Sequence, residues 1–367
     1  MKHILYAVLA LLILTGCAPV LPPQNTEVPP STTQTGAPAE SSSVVSEEPT
    51  EPFPEEFLLS FVGDCTFADN IKNGNNSLSF YNIVKNNYNF PFQNVREYFL
   101  QDDLTLVNLE CVLSDSDPTE KEMETLKDKR FRFRGYPEYV KILTQNGVEF
   151  ANLSNNHTQD FGAQGLLDTK NILEENHIAR TATGETCFIA TTRGLRVGIV
   201  SYYFSFSEND IQGKIQSLRD QGAQLVIVSI HWGKEGKYQP TQSQKDYGHA
   251  AIDAGADIVY GHHSHTLQPV EYYGGGVIYY SLGNFSFGGN YNPSDKDTAI
   301  LQQKVYLWPD GTVTLSSLNI IPCRLSSNSN YNNYQPRLYK ESEKGYQRAL
   351  EKLNGTYEGP DVFVPYA

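Results

Sequence analysis

AGADIVYGHHSHTLQPVEYY (254–273) decides the fold. A short β-rich run, Asp257 to Tyr260, breaks off into a glycine and the histidines His262, His263 and His265. Apolar runs of four to eight residues bounded by turn signals read as buried strands, so these imidazoles sit at a strand end. Working outward, the design recurs. FLLSFVGD (57–64) ends in Asp64, DLTLVNLE (103–110) in Asn108 and Glu110, and VEFANLSNNH (148–157) in Asn155, Asn156 and His157. LRVGIVSYY (195–203) is a further run, and QLVIVSIHW (224–232) carries His231. Helix-like segments at 93–100, 136–146, 163–177, 209–221 and 242–254 fall between them. Strands alternating with helices imply βαβ units and a mostly parallel sheet.

After residue 265 the helices stop. QPVEYYGGG, VIYYSLGNF, TAILQQKVYLW and GTVTLSSLNII read as hairpin strands, joined by turns such as Gly274-Gly275-Gly276 and Pro309-Asp310-Gly311. They predict an antiparallel second sheet. The expected architecture is two sheets face to face with helices outside. Residues 324–338, rich in Asn, Ser and Tyr, read as a surface loop, and 339–353 as a terminal helix.

Composition bounds the rest. The chain has 367 residues, of which 39% are hydrophobic, enough for a core and against wholesale disorder. Its formal charge of −14 argues against a protein that grips nucleic acid by charge, so no nucleic-acid partner is expected. Residues 1–17, MKHILYAVLALLILTGC, carry the one stretch apolar enough to enter a bilayer. That stretch suits a secretory signal, and Leu14-Thr15-Gly16-Cys17 resembles a bacterial lipobox, with Cys17 as the lipidated residue. Residues 18–56 hold nine Pro, seven Glu and no Lys or Arg, the composition of an extended tether. Lys2 and those glutamates account for −6 of the charge, leaving −8 over 57–367. The expected domains are a signal (1–17), a tether (18–56), a folded domain (57–323) and a C-terminal loop and helix packed on it (324–367). The protein is then extracytoplasmic and lipid-anchored to the bacterial cell membrane.

In open α/β sheets, ligand sites form at the carboxyl ends of strands. Five strands here end in groups that bind metals or protons, and they hold five of the eight histidines. Asp, Glu, Asn and imidazole form a mixed oxygen–nitrogen set that suits one or two ions of Mn, Fe or Zn. A carboxylate such as Glu110 could bridge two ions. Two metals about 4 Å apart can clamp and activate a water for attack on phosphorus.

The motifs Gly63-Asp64, VNLE (107–110), NLSNNHTQDFGAQG (152–165), HWGKE (231–235), AGADIVYGHHSHTLQPVEYY (254–273) and YSLGNFSF (280–287) together resemble the CapA/PgsA capsule-synthesis family. The resemblance spans about residues 57–290. It implies an α/β metallophosphatase-like four-layer α/β/β/α sandwich and a role in poly-γ-glutamate capsule synthesis, export or anchoring. Metal-dependent hydrolase chemistry on a phosphoester or an anionic polymer would follow, alongside capsule synthase subunits. Two other roles stay open, a non-catalytic polymer-binding scaffold and a cell-envelope metallophosphodiesterase.

Carried onto this chain, the resemblance makes Asp64, Glu110, Asn156, His231, His263 and His265 metal ligands. Asn108, Asn155 and His262 are possible additions. His157 would stabilise the transition state or protonate the leaving oxygen, with Asp160 orienting it. The chain also departs from the calcineurin-like pattern. Asp64-Cys65-Thr66 stands where Asp-x-His is usual, and Asn108-Leu109-Glu110 where Gly-Asp-x-x-Asp is usual. At least one ligand of the usual dinuclear site is missing.

Arg130, Arg132 and Arg134 alternate with Phe131 and Phe133, which on a strand puts the arginines on one face. They read either as a receiver for an anionic chain or as a solvated edge. Arg132, Arg134, Glu235 and Asn284 are taken as candidate substrate contacts. Trp232 and Tyr238 read equally as groove lining or packing. Cys65, Cys111, Cys187 and Cys323 read as buried thiols, with a Cys65–Cys111 disulfide as the alternative that neighbouring strands would allow.

Overall fold

A computed structural model describes residues 53–70 and 76–362. Cys17 and the 1–17 signal lie outside the described residues, as does most of the 18–56 tether. The first half contributes strands β1 (Glu55–Thr66), β2 (Asp69–Asn70), β3 (Leu104–Leu109), β4 (Val112–Leu113), β5 (Phe133–Gly135), β6 (Phe150–Asn152) and β7 (Ala179–Thr181). The second half adds β8 (Thr186–Ala190), β9 (Arg196–Tyr203), β10 (Leu225–His231), β11 (Ile258–His262), β12 (Val270–Tyr273) and β13 (Gly276–Tyr279). The last four are β14 (Asn284–Phe287), β15 (Asp297–Leu307), β16 (Val313–Arg324) and β17 (Arg337–Leu338).

Two large sheets result. One runs β17-β16-β15-β1-β3-β6-β7, with β14 parallel to the far end of β1. The other runs β12-β13-β11-β10-β9-β8, and its β9, β10, β11 and β13 are parallel. A small third sheet, β2-β5-β4, was not foreseen from the sequence.

Period-two alternation sets the layers. Phe57, Leu59 and Phe61 of β1, with Leu104, Leu106 and Phe150, meet Val197, Ile199, Ile227, Ile258, Tyr260 and Tyr279 of the second sheet. The opposite faces carry helices. Val200, Val228 and Val259 pack on Ile211, Ile215 and Leu218 of helix Glu208–Asp220 and on Ala251 and Ile252 of helix Gln242–Asp253. Val62, Val107 and Ala151 pack on Val140, Ile142, Leu143 and Leu173. The protein is a four-layer α/β/β/α sandwich. Each fully buried aliphatic or Phe side chain contributes roughly 1.5–3 kcal/mol to holding it together.

The partition of strands differs from the expectation. The hairpin of β15 and β16 does not build a second sheet but joins the first, where β15 pairs antiparallel with β1 from Glu55 to Phe61. Without it, β1 would expose a row of unpaired backbone groups beside the core. Only β12 and β13 extend the second sheet. The 324–338 segment is not a surface loop. Ser326, Asn332 and Tyr334 are fully buried. Its polar side chains satisfy its own irregular backbone and that of the turn beside it: Ser326 Oγ donates to Tyr331 O (2.8 Å), and Asn332 Nδ2 donates to the carbonyls of Phe287 (2.7 Å) and Asn290 (2.9 Å). Among the described residues, no helix is long and apolar enough to cross a membrane.

Candidate metal centre

The two sheets bring their carboxyl ends together. In the first, Asp64, Asn108 and Asn152 lie in register across β1, β3 and β6, with Asn284 paired to Asp64 on the other side. In the second, Tyr203, His231 and His262 lie in register across β9, β10 and β11. The rows face each other. Glu110 Oε1 is 3.5 Å from His231 Nε2, Asp64 Oδ1 is 3.6 Å from His262 Nδ1, and Asp64 Oδ2 is 3.3 Å from His265 Nδ1. Asp64 can sit there because its neighbour is glycine: a Cβ on Gly63 would lie 2.0 Å from the Gly283 carbonyl oxygen.

Beyond β11 the chain turns through left-handed conformations at His263 (φ 93°) and His265 (φ 55°). Non-glycine residues hold such angles only where the surroundings enforce them. Here Gly236 N donates to Ser264 O (2.8 Å) and Thr266 Oγ1 donates to Lys237 O (2.7 Å). These bonds tie the histidine turn to the loop after β10 and bring Glu235 in beside it.

Several sequence candidates converge. Glu110, His231 and His263 offer ligand atoms within 4.8 Å of one another, as do Asp64, Glu110 and His265, and Glu235, His263 and His265. Buried atoms without a hydrogen-bond partner concentrate here: Asp64 Oδ2, both Glu110 oxygens, His231 Nε2, Glu235 Oε2, His262 Nδ1 and His263 Nδ1, and Asn156 Oδ1, next to His157 in the chain, lacks one too. Buried polar atoms are almost always paired, and leaving one unpaired costs about 1–3 kcal/mol. A cluster of carboxylate, amide and imidazole atoms lacking partners fits a divalent cation. Glu235, taken from the sequence as a substrate contact, belongs to this cluster.

Other candidates are already committed. Asn108 Nδ2 donates to Asp64 Oδ1 (2.8 Å), and its Oδ1 accepts from Asn152 (2.8 Å) and Asn155 (3.2 Å). Asn155 also donates to Leu109 O (2.9 Å) and accepts from His157 N (3.0 Å). Both amides hold the strand ends together. His262 Nε2 lies 3.2 Å from Ser229 Oγ. Asn284 Oδ1 is 2.8 Å from His265 Nδ1, so it orients that ring. Asn152 was missed, although it shares a strand-end position with Asp64 and Asn108.

His157 and Asp160 form a separate pair. His157 Nδ1 is 2.8 Å from Asp160 Oδ2, which also accepts from Phe133 N (2.7 Å). Asp160 Oδ1 forms an ion pair with Lys129, whose Nζ also donates to Asn156 O (2.7 Å). The carboxylate can only accept, so Nδ1 carries the proton and Nε2 is left as the basic nitrogen. Nothing in the sequence around Lys129 signalled its part.

Charge is poorly balanced at the centre. Burial, reinforced by the Asp64 charge, pushes the Glu110 carboxyl well above its ordinary range. Burial also raises Glu235. Asp64 is held low: burial opposes this, but His265, His262 and Asn108 prevail. Burial lowers His262 to about 4 and His263 to about 3, and it lowers His157 despite the Asp160 charge. His265 goes the other way, to about 10, because the carboxylates of Glu110, Asp64 and Glu235 overcome burial. The raised carboxyls of Glu110 and Glu235 and the raised imidazole of His265 mark a place that demands positive charge.

The arginines do not form an open anion receiver. Arg132 is buried over the Phe161 ring (5.3 Å). Arg134 stacks on the same ring (4.4 Å) and donates to Asp117 Oδ1 (2.7 Å) and Ser116 O (3.1 Å). They do share a face, but Phe161 and Asp117 occupy it. Trp232 is core, its Nε1 donating to Tyr280 O (3.0 Å). Cys65, Cys111, Cys187 and Cys323 are free thiols, and all but Cys187 are buried.

The family described as "Bacterial capsule synthesis protein PGA_cap" matches residues 58–289, a span that includes every ligand candidate of the centre. The "Capsule biosynthesis protein CapA" of Bacillus anthracis is 29% identical over 325 residues, covering 79% of this chain and 75% of that protein. The "PGA biosynthesis protein CapA" of Bacillus subtilis (strain 168) is 30% identical over 203 residues, covering 48% of this chain and about half (52%) of that protein. The NAD nucleotidase of Haemophilus influenzae aligns with 82% of this chain and 63% of its own at 12% identity, with a TM-score of 0.39, too distant to bear on the reading. With the family match spanning well over half of its length, the chain belongs to the bacterial capsule synthesis protein family.

Proposed function

We propose that this protein acts in synthesis, export or anchoring of a poly-γ-glutamate capsule, through metal-dependent hydrolysis or transfer at its strand-end centre. The observation that carries the chemical part is the convergence of buried, partnerless carboxylate and imidazole atoms on one point. The relatives named for capsule and PGA biosynthesis support the biological part. Asp64, Glu110, His231, His263 and His265 would hold the metal, with Asn156 contributing its amide oxygen. A bound divalent ion supplies Lewis acidity and an activated water for attack on a phosphoester or a polymer amide.

The chain's own residues supply proton handling. His157 is neutral near pH 7 because burial disfavours its charge. Its Nε2 accepts a proton, and the Asp160 carboxylate at Nδ1 then stabilises the imidazolium. The same nitrogen returns the proton to the departing group. Lys129 holds Asp160 in place. Delivery outside the cell on a lipid attached to Cys17 completes the proposal, and it rests on the residue 14–17 motif alone.

The test replaces the chromosomal gene with a His157→Ala version and measures cell-associated polyglutamate, with protein level checked by immunoblot. Loss of polymer at normal protein level is the expected result. Unchanged polymer would overturn the catalytic part and leave a scaffold.

A further inference from the structure

We propose that the C-terminal segment from Gly355 to Val362 is a positioning strap for Glu235, holding the loop after β10 against the histidine turn. The inference rests on the metal-centre reading above, and it concerns residues beyond the family-matched span, which ends at residue 289.

The loop does not hold itself. Lys234 and Glu235 are bracketed by Gly233 (φ 83°) and Gly236 (φ 75°), both left-handed. Glycine gives up more conformational freedom on folding than any other residue, so bonds to other segments must fix such a turn. Gly236 has both backbone groups engaged, each with a different segment. Its N–H donates to Ser264 O (2.8 Å) on the histidine turn, and its carbonyl accepts from Val362 N (3.0 Å). The following residues repeat the arrangement. Lys237 O accepts from Thr266 Oγ1 (2.7 Å) and Gln268 Nε2 (2.9 Å), while its Nζ pairs with Asp361 Oδ2 (2.6 Å). Tyr238 N donates to Asp361 Oδ1 (3.2 Å), and its ring meets Tyr357 edge-on at 4.8 Å. Gln239 Nε2 donates to Gly355 O (3.4 Å).

The strap leaves from a fixed point. It follows helix Lys344–Leu353, and the buried Lys352 Nζ lies over the rings of both Tyr238 (4.5 Å) and Tyr357 (5.2 Å). The Lys237–Asp361 pair is half-exposed on both sides and contributes little alone. The bond to the Gly236 carbonyl, one residue from Glu235, is the contact that sets where the carboxylate stands. Glu235 offers its ligand atom within 4.8 Å of those of His263 and His265. Groups that orient a metal ligand govern affinity together with the ligand itself.

The test uses full-length protein carrying Asp361→Ala with Val362→Pro, the second change removing the donor to Gly236. Affinities of the metal-free protein for Mn2+ and for Zn2+ are measured by calorimetry. The double variant should bind metal about tenfold more weakly, with the melting temperature of the metal-free form near wild type. Because the strap acts through Glu235, the same two changes made in Glu235→Gln protein should cause no further loss. Val362→Pro alone carries the same test should the pair fail to fold. Affinity within about twofold of wild type, or a fall in melting temperature alone, overturns the strap. So does an equal further loss in the Glu235→Gln background, or a Glu235→Gln protein that binds metal as wild type does. A wild-type protein that binds neither ion overturns the metal-centre reading instead.

Discussion

Two of the buried clusters of charge among the described residues are built in opposite ways. At the C-terminal helix Lys344–Leu353, Lys352 Nζ donates to both oxygens of Asp295 (2.9 and 2.8 Å) and to Asp297 Oδ2 (2.7 Å). Arg348 forks onto Asp297 with two 2.6 Å bonds, and Tyr339 donates to Asp297 Oδ1 at 2.8 Å. Each carboxylate oxygen there has a partner from the chain. At the strand ends, Asp64, Glu110 and Glu235 retain oxygens that have none. Burial makes unpaired charge costly in both places. Where the chain supplies the counter-charge, the cluster is a staple. Where it supplies too little, one imidazole at His265 against Asp64, Glu110 and Glu235, the cluster is a site for something that arrives.

That contrast can be broken by mutation. Against a chromogenic phosphodiester, His157→Ala should lower metal-dependent turnover about 10²–10⁴-fold while the melting temperature stays near wild type. An equal loss of stability would make His157 structural. Lys352→Met should do the reverse. It strands Asp295, while Asp297 keeps Arg348 and Tyr339, and should cost about 3–5 kcal/mol in a denaturant titration, with the metal content of the folded fraction unchanged. A loss under about 1 kcal/mol would show that the staple is dispensable.

Proton competition sharpens the comparison. His265, at about 10 without metal, carries a proton through neutral pH that a bound ion must displace. Metal affinity should therefore rise with pH between 7 and 9, about tenfold per unit for that one proton, as measured by calorimetry in buffers of different ionisation enthalpy. The sign reverses for the metal-free protein. A folded pKa above the ordinary value of about 6.5 contributes stability that is full below 6.5 and lost as pH rises toward 10. A pH-independent affinity would mean that His265 is not a ligand. The smallest effect belongs to the half-exposed pair of Arg337 and Glu343, 2.7 Å apart. Glu343→Gln should cost less than about 1 kcal/mol and leave metal binding untouched.

Much of this was legible in the residues. The histidines after Tyr260, the Gly63-Asp64 pair and the Asn155-Asn156-His157 cluster announced a strand-end site, because apolar runs that stop at ligand-type side chains have few other uses. Asp160 as the partner of His157 came with the family resemblance, and the structure gives their 2.8 Å contact. Glu235 was visible in HWGKE, yet its place was not. The bend that brings it to His265 depends on Gly236 bonding to Ser264, a residue 28 positions on. The bracing roles of Asn108 and Asn155 were hidden for a related reason. Their hydrogen-bond partners, Asp64, Asn152, Leu109 and His157, lie on other segments or are set by the local turn.

The sequence by itself determined the strands, their apolar faces and the chemistry at their ends, because period-two burial and residue type are local properties. Tertiary structure alone decided how the strands divide between two sheets. The β15–β16 hairpin could have lain beside either sheet as far as its pattern shows, and the unpaired flank of β1 claimed it. It also decided which polar atoms at the sheet ends keep their lone pairs free. That is a property of distances between residues up to two hundred positions apart, such as Asp64 and His265, and no local pattern records it.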